Sequence, residues 1–296
     1  MARQIRNAVA SIGLCGVLVA VGVGVGFGAA PRPALASPAT ESDFFEIKDG
    51  GTDVNLTVRY QTDLIFRGVR QADDVLRLQL KGRVGAGPVD LTMGIASAVP
   101  FDGMNGGIEE PREVNGFLKA RFNLAGVVTA EAGLTYYGFV GTQNTPGAET
   151  ETLELFAGAR LPLILPVFAR VYYDVEVQNL TIETESRWRL PLLGERLALE
   201  FSGRAGYVHT GDDAENLLNN QAGARTIVEA EPASGLTVKD NRAYYEVGAA
   251  LSSRISRTAK IGAHLNWAGT TGEYLVGGRR DDETLYGGLS LNLALF

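Results

Sequence analysis

The feature that most constrains this chain is a two-residue alternation of apolar and polar side chains that recurs along most of its length. In the segment 53–67, Val54 and Leu56 are apolar. Asn55 and Arg59, which occupy the alternate positions, are polar. Successive side chains of a strand point to opposite faces of a sheet, so this segment has one apolar and one charged face. The alternation predicts strands that lie between an apolar and a polar environment.

The same pattern predicts twelve strands. They lie near residues 53–68, 74–84, 88–98, 113–125, 127–139, 151–161, 166–178, 181–190, 195–209, 241–253, 257–268 and 284–296. The segment 181–190 is the weakest of these, because it is polar on both faces. If that segment or a connection is assigned wrongly, the count becomes ten or fourteen.

The lengths of the connections give an independent check on the strand count. If the first strand runs outward from the periplasm, the periplasmic turns are all short and lie at 85–88, 125–127, 162–166, 191–195 and 254–258. The long connections all fall at the opposite end, at 99–112, 140–150, 210–240 and 269–283. Short periplasmic turns and long external loops are typical of outer-membrane barrels. We therefore predict an all-β fold, a single transmembrane antiparallel up-and-down β-barrel of about twelve strands.

The N-terminal residues have the composition of a secretory signal peptide. Arg3 and Arg6 precede an apolar, glycine-rich stretch, and Ala34-Leu35-Ala36 matches a small-x-small cleavage site. A retained membrane helix is the alternative, which the many glycines and the cleavage site disfavour. The predicted organisation is a cleavable leader over 1–36, a short polar segment over 37–52 and an outer-membrane barrel over 53–296.

The composition excludes several classes of protein. Cys15 is the only cysteine and lies in the predicted leader, so the mature chain has no disulfide or thiol chemistry. The net charge is −7 and becomes more negative once the basic leader is removed, which argues against nucleic-acid binding. After the leader, no apolar run approaches the ~18 residues that a membrane helix needs. We predict a location in a Gram-negative-type outer membrane, reached through the periplasm, with lipid as a partner.

The polar phase of the strands is expected to line the lumen of this barrel. An arginine or lysine on the lipid face costs roughly 2–4 kcal/mol at the membrane midplane, so charged residues should face inward. The predicted pore-lining residues are Arg59, Asp63, Arg67, Arg77, Lys81, Lys119, Arg121, Arg170, Asp174, Glu176, Arg204, Glu246, Lys260 and His264. Basic residues outnumber acidic ones on this phase, which predicts a weak preference for anions.

The state of the lumen decides between two functions. If water remains between the charges, the barrel is a passive diffusion channel for small hydrophilic solutes or ions. If the charges interlock, it is a closed structural or adhesion barrel that acts through its external loops. Twelve strands lie between filled small barrels and wide porins, so we expect a narrow channel, and the segment 210–240 could fold inward or stay outside. No cofactor or metal is predicted.

An enzyme embedded in the outer membrane is a further alternative. His209 and His264 are the histidines of the mature chain, and acidic residues follow His209. A hydrolytic site needs a nucleophile, a base and an orienting group within hydrogen-bond distance. We find no nucleophile elbow in the sequence, and therefore predict that the protein is not an enzyme.

Aromatic residues support a membrane setting. Six of them lie on the apolar phase, several near strand ends where an interfacial girdle is expected, namely Tyr60, Tyr136, Tyr173, Tyr207, Tyr245 and Trp267. The last strand ends at Phe296, and a terminal aromatic resembles the signal read by the barrel-assembly machinery, a predicted partner. Phe296 departs from that signal because it lies on the polar phase.

The first predicted hairpin carries a family resemblance. The segment Tyr60 to Asp74, YQTDLIFRGVRQADD, resembles the first strand of the TorF-type porin family. The matching residues are Phe66, Arg67, Gly68, Val69 and Gln71. Arg70 departs from the pattern, since the family carries a small polar residue there. The resemblance implies an outer-membrane barrel assigned as a porin, and implies less about its solute. For Arg67 itself, a role at a constriction and an ion pair with a nearby carboxylate both stay open.

Overall fold

The structure is a computed structural model that describes thirteen segments of the chain. These are residues 52–101, 104–105, 108–109, 112–124, 128–140, 151–161, 166–175, 178–193, 196–209, 241–271, 275–276, 279–280 and 283–295. The predicted leader, the polar segment before residue 52, the loop 210–240 and Phe296 lie outside them. Within them, no helix is long and apolar enough to cross a membrane.

Sixteen strands lie within the described residues. They are β1 (Thr52–Phe66), β2 (Val69–Ala86), β3 (Val89–Pro100), β4 (Met104–Asn105), β5 (Ile108–Glu109), β6 (Arg112–Leu124), β7 (Val128–Val140), β8 (Glu151–Leu161), β9 (Val167–Asp174), β10 (Leu180–Pro191), β11 (Leu197–His209), β12 (Asn241–Arg254), β13 (Ala259–Thr270), β14 (Leu275–Val276), β15 (Arg279–Arg280) and β16 (Glu283–Ala294). The long strands have the alternating pattern described above, and only a few residues separate successive strands at one end.

Twelve of these strands form a closed barrel. Its order is β1-β16-β13-β12-β11-β10-β9-β8-β7-β6-β3-β2, and β1 pairs with β2 to close the ring. Every neighbouring pair is antiparallel. The two-residue strands pair separately, β4 with β5 and β14 with β15. The closed ring gives each barrel strand two hydrogen-bonded neighbours, as a strand in lipid requires.

The predicted fold class and the count of twelve barrel strands are confirmed. The weak segment 181–190 is the strand β10, which pairs with β9 on one side and β11 on the other. The predicted strand 166–178 was too long, because β9 ends at Asp174. The four short strands lie within connections that were predicted to be loops.

The first connection is shorter than predicted. We expected residues between 68 and 74 to join the first two strands, whereas β1 ends at Phe66 and β2 begins at Val69. Arg67 and Gly68 alone make the turn, with φ of 50° and 78°. Positive φ at both central residues is the geometry of a type I′ hairpin, which lets pairing continue to the end of both strands.

The two phases of the strands have opposite environments. Polar and charged residues such as Asn55, Glu131 and Glu183 are buried, although they lie in strands that also carry large apolar side chains. The exposed large apolar residues include Leu78, Leu80, Met93, Ile95, Leu118, Leu155, Val247, Leu251, Ile261, Leu265, Leu285 and Leu289. A closed barrel with a charged interior and an apolar exterior spans a lipid bilayer, and barrels of this kind lie in bacterial outer membranes.

Aromatic side chains lie on the exterior near both ends of the barrel. All six predicted girdle residues occur in the external half of their strands, and four of them, Tyr136, Tyr173, Tyr207 and Trp267, are at least 41% exposed. Tyr60 donates a hydrogen bond of 2.5 Å to Asp74, and Tyr245 donates one of 2.9 Å to Glu283. At the periplasmic end, the rings of Trp188 and Phe201 stack at 5.7 Å. This arrangement fits a girdle at each lipid–water interface.

Because one face of β12 is assigned to the lipid-facing exterior, an arginine should lower the free energy of unfolding by different amounts at two positions of this strand. Val247 is exposed on the apolar face midway along the strand, whereas Ala250 lines the lumen and pairs with Glu200. Val247→Arg should lower the free energy of unfolding in lipid vesicles by roughly 2–4 kcal/mol, because it places a cation in lipid. Ala250→Arg is the matched control and should lower it by less. Equal losses at both positions would contradict a lipid-facing exterior.

Candidate functional site: the lumen and its inward-folded turn

The β1–β2 turn enters the lumen of the barrel. Arg67 forms an ion pair with Glu154 of β8, and its side chain is only 6% exposed. A Cβ atom on Gly68 would lie 2.6 Å from the carbonyl oxygen of Gly269 and 2.7 Å from the Cβ of Tyr244. These residues belong to β13 and β12, across the barrel from β8. A turn that contacts both walls lies inside the ring of strands.

The backbone of the first hairpin is irregular below this turn. The register between β1 and β2 shifts between Leu64 and Ile65, which is the signature of a β-bulge. Asp74, on the partner strand, has a φ of 45°. A bulge bends a hairpin and increases its twist, so these two irregularities account for the inward direction of the turn.

Arg67 is held by aromatic rings as well as by its carboxylate. Its guanidinium carbon lies 4.7 Å from the ring centroid of Phe66 and 5.0 Å from that of Tyr172. The hydroxyl of Tyr137 donates a hydrogen bond of 3.3 Å to Glu154, so the carboxylate has two partners. A buried ion pair of this kind is costly to break, since removing one partner leaves a buried charge, at a cost of about 3–5 kcal/mol.

A second network surrounds Arg170 of β9. Its Nε donates to Glu131 at 2.6 Å, and its Nη1 donates to Glu185 at 2.7 Å. Lys119 and Arg121 of β6 each lie 3.9 Å from the same Glu131. Charges from β6, β7, β9 and β10 are therefore interlocked on one side of the lumen.

Glu183 joins the two networks. It accepts hydrogen bonds from Tyr172 at 3.2 Å and from Tyr244 at 2.7 Å. Tyr172 also contacts Arg67, and Tyr244 lies against Gly68. The turn and the wall of the barrel thus share one set of tyrosine and glutamate contacts.

Aromatic rings fill the same side of the lumen. The ring of Phe156 lies over Gly133 of the neighbouring strand, where a Cβ atom would come within 2.7 Å of its Cζ. The same ring is 5.8 Å from that of Tyr172. Glycine at position 133 thus makes room for a bulky ring beside the Arg170 network.

The other side of the lumen contains a cavity of about 170 Å³. Its walls come from β1, β2, β10, β11, β12, β13 and β16, and its lining begins at Ile65, just below the inward turn. The charged and histidine residues that line it are Arg59, Arg77, Glu185, Arg187, Glu200, Arg204, Glu246, Lys260 and His264. The lumen therefore has a filled side and an open, charged side.

The predicted pore-lining residues divide between these regions. Six of them line the cavity, namely Arg59, Arg77, Arg204, Glu246, Lys260 and His264. Four belong to the two ion-pair networks, namely Arg67, Lys119, Arg121 and Arg170. Asp63 and Lys81 are buried in β1 and β2, and Asp174 accepts a hydrogen bond of 2.6 Å from Thr152. Glu176 lies outside the described residues, and the pore-lining role of all these residues stays a prediction.

Several residues of the networks are not among the pore-lining candidates named above. Five of them are charged and were expected to face the lumen with the rest of the polar phase, namely Glu131, Glu154, Glu183, Glu185 and Arg187. Three tyrosines were not expected there, namely Tyr137, Tyr172 and Tyr244. All of them lie on the polar phase of their strands, so the alternation itself carried the signal. The tyrosines were missed because aromatic residues were expected mainly on the exterior.

The two histidines do not form one site. His264 lines the cavity and pairs with Ala250, which pairs with Glu200 of β11. His209 ends the same strand β11, so the two lie roughly 30 Å apart along the strand direction at about 3.3 Å per residue. A catalytic site in this barrel would therefore use only one of the two histidines.

Comparison with known proteins identifies no family for this chain. No protein-family model matches the sequence, and no curated protein matches it. Among solved structures, the translocator domain of the autotransporter NalP from Neisseria meningitidis is 11% identical, with a TM-score of 0.48 over 85% of this chain and 91% of that chain. The NanC porin is 8% identical, with a TM-score of 0.47 over 80% and 98%.

A third solved structure is an outer membrane channel from Pseudomonas putida F1. It is 10% identical, with a TM-score of 0.43 over 87% of this chain and 100% of that chain. The assignment of this chain to the barrel fold rests on its own closed ring of hydrogen-bonded strands.

Because the turn packs inside the lumen, replacing two glycines with alanine should lower the free energy of unfolding by different amounts. Gly68 and Gly87 both have positive φ, 78° and 63°, so alanine is strained at either position by roughly 1 kcal/mol. A Cβ on Gly87 meets nothing within 4 Å, whereas one on Gly68 meets Gly269 and Tyr244. Gly68→Ala should therefore lower the free energy of unfolding by about 1–3 kcal/mol more than Gly87→Ala, measured by urea titration in vesicles. Equal losses would mean that the turn is not packed in the lumen.

Proposed function

We propose that this protein is a narrow outer-membrane channel that passes small hydrophilic ions or solutes passively. The observation that carries this proposal is the charged cavity of about 170 Å³ inside the barrel. Fully filled small barrels leave no such space, and a cavity lined by arginine, lysine and glutamate is a polar environment that holds water. The resemblance of the first hairpin to the TorF-type porin family supports the same function.

The inward turn is the proposed constriction of this channel. It lies at the external end of β1 and β2, directly above Ile65 of the cavity lining. The ion pair of Arg67 with Glu154 fastens it across the lumen. A solute that enters from outside would pass beside this turn, so its position limits the size of the permeating species.

The charge of the open side supports a weak preference for anions. The cavity lining carries more arginine and lysine than glutamate. Charges next to a permeating ion are screened less than charges on external loops, so they dominate selectivity. We therefore expect a reversal potential of the anion-selective sign in a salt gradient.

A closed barrel that acts through its external loops is the second candidate function. The observation that favours it is the filled side of the lumen, where Arg170 joins Glu131 and Glu185 and the rings of Phe156 and Tyr172 pack together. If the turn and this network together block passage, the barrel would not conduct. Conductance separates the two functions.

Single-channel conductance in planar bilayers tests the channel directly. The mature protein should give small discrete steps, and Glu154→Gln should increase the step size about twofold or more, because it releases Arg67 and widens the constriction. Arg83→Gln breaks an ion pair of 2.7 Å with Asp90 near the periplasmic end and should leave the step size nearly unchanged. Failure of all three folded proteins to conduct would overturn the channel and favour the closed barrel.

A further inference from the structure

We propose that one sector of the periplasmic rim is a binding site for an anionic phospholipid, with phosphatidylglycerol as the simplest example. The site is formed by the turn between β10 and β11 and the neighbouring turn between β12 and β13, and we call it the rim patch. Its residues are Leu192, Leu193, Arg196, Ile255 and Arg257. The proposal concerns the outside of the barrel and goes beyond the proposed function, so it does not depend on whether the lumen conducts.

Backbone hydrogen bonds join the two turns into one surface. Strands β11 and β12 are neighbours in the ring, and the N–H of Arg254 donates a hydrogen bond of 2.8 Å to the carbonyl oxygen of Arg196. Each turn is also closed by a bond of its own, of 2.9 Å from the N–H of Leu192 and of 3.0 Å from the N–H of Ile255. The side chains of the two turns therefore lie close together on the rim.

The apolar side chains of the rim patch are exposed. Leu193 is 69% exposed, Ile255 is 62% exposed and Leu192 is 45% exposed. They lie beyond the stacked rings of Trp188 and Phe201, which form the periplasmic part of the aromatic girdle. Apolar side chains that continue a lipid-facing wall past its girdle fit the boundary between acyl chains and headgroups, where they are removed from water.

Arginine dominates the charge of the same two turns. They contain three arginines and one acidic residue, Glu195, which lies outside the described part of the chain. Arg196 and Arg257 are exposed. Arg254 has contacts of its own, and without it the two turns still carry more positive than negative charge. The rim patch is therefore complementary in charge to the phosphate of an anionic lipid.

The order of basic and apolar side chains matches a phospholipid from its headgroup to its chains. A guanidinium group can donate two parallel hydrogen bonds to a phosphate, and clusters of arginine beside a membrane surface recognise anionic lipids. A lipid with its phosphate at Arg196 or Arg257 would extend its chains along the apolar face past Leu190 and Trp188, both of which are exposed. The leucine and isoleucine side chains of the rim patch would pack against the start of those chains.

A periplasmic protein is the other occupant that an exposed apolar and basic surface could bind. A lipid is favoured because the rim patch is continuous with the lipid-facing wall through Trp188 and Phe201. The turn between β2 and β3, at the same end of the barrel, differs in its charge. Arg83 and Asp90 beside that turn pair with each other at 2.7 Å, and this pair contributes no net charge.

Quenching of tryptophan fluorescence by brominated lipid tests the rim patch. The chain has two tryptophans, Trp188 beside the patch and Trp267 at the external girdle. The Trp267→Phe protein is reconstituted in phosphatidylcholine vesicles that contain brominated phosphatidylglycerol or brominated phosphatidylcholine, so that its fluorescence reports the lipid at Trp188 alone. Phosphatidylglycerol should bind there at least about fivefold more tightly than phosphatidylcholine, since an arginine near an anionic membrane surface contributes about that factor.

Arginine variants separate the site from general electrostatics and from misfolding. Arg196→Gln and Arg257→Gln should each lower the preference for phosphatidylglycerol by about two- to fivefold, whereas Arg196→Lys and Arg257→Lys should retain most of it. Arg112→Gln removes an exposed arginine from the external end of β6 and should leave the preference unchanged. Heat-modifiable migration on gels verifies that each variant is folded. An equal decrease in all three glutamine variants would overturn the site.

The second tryptophan provides a matched reporter at the other end of the barrel. In the Trp188→Phe protein, Trp267 detects lipid at the external girdle and should show a smaller preference for phosphatidylglycerol. An equal preference at both tryptophans would overturn a site at the periplasmic rim. The absence of any preference at Trp188 would also overturn it, and would favour a protein as the occupant of the rim patch.

Discussion

The need to satisfy every backbone hydrogen bond in lipid is the constraint on which the rest of this structure depends. Twelve strands meet it by closing into a ring, with β1 paired to both β2 and β16. Once the ring is closed, each strand has a lipid face and a lumen face. The alternation that begins at Val54 and Asn55 then sorts apolar side chains outward and charged ones inward, and the interior chemistry follows from that sorting.

Closure of the ring also leaves space and charged side chains inside the barrel, and the inward turn occupies part of that space. A ring of this size encloses more space than its own wall residues fill, and the charges that line it need partners. The turn brings Arg67 to Glu154, while Tyr172 and Tyr244 reach Glu183 from the walls. The result is a lumen with one filled side and one charged cavity, instead of a uniform pore or a uniform plug.

The fold was predictable from the sequence because its signal is local. A period of two residues identifies a strand and its lumen face without any knowledge of its neighbours, which is why Arg59, Arg77 and Lys260 were predicted to face inward. The structure places all three in the lining of the cavity. Short connections lie at one end of the predicted barrel and the long ones at the other, and this arrangement then restricts the strand count. Strand ends were less accurate, since the tight Arg67-Gly68 turn depends on positive φ at an arginine, which the sequence does not signal.

The arrangement inside the lumen was not predictable in the same way. Arg67 and Glu154 are 87 residues apart in sequence, and their contact depends on closure of the ring and on the irregular register between Leu64 and Ile65. The alternation places both side chains inside but does not say which cation meets which carboxylate. The division into a filled and an open side likewise depends on how rings such as Phe156 pack over neighbouring strands.

A double-mutant cycle between Arg67→Ala and Glu154→Ala tests most directly whether the turn is fastened across the lumen. The free energy of unfolding is measured by urea titration in lipid vesicles for the wild type, both single variants and the double variant. Residues in direct contact show coupling energies of about 0.5–3 kcal/mol, and a buried ion pair should lie toward the upper part of that range. Additive losses, with no coupling between the two positions, would contradict an inward-folded turn.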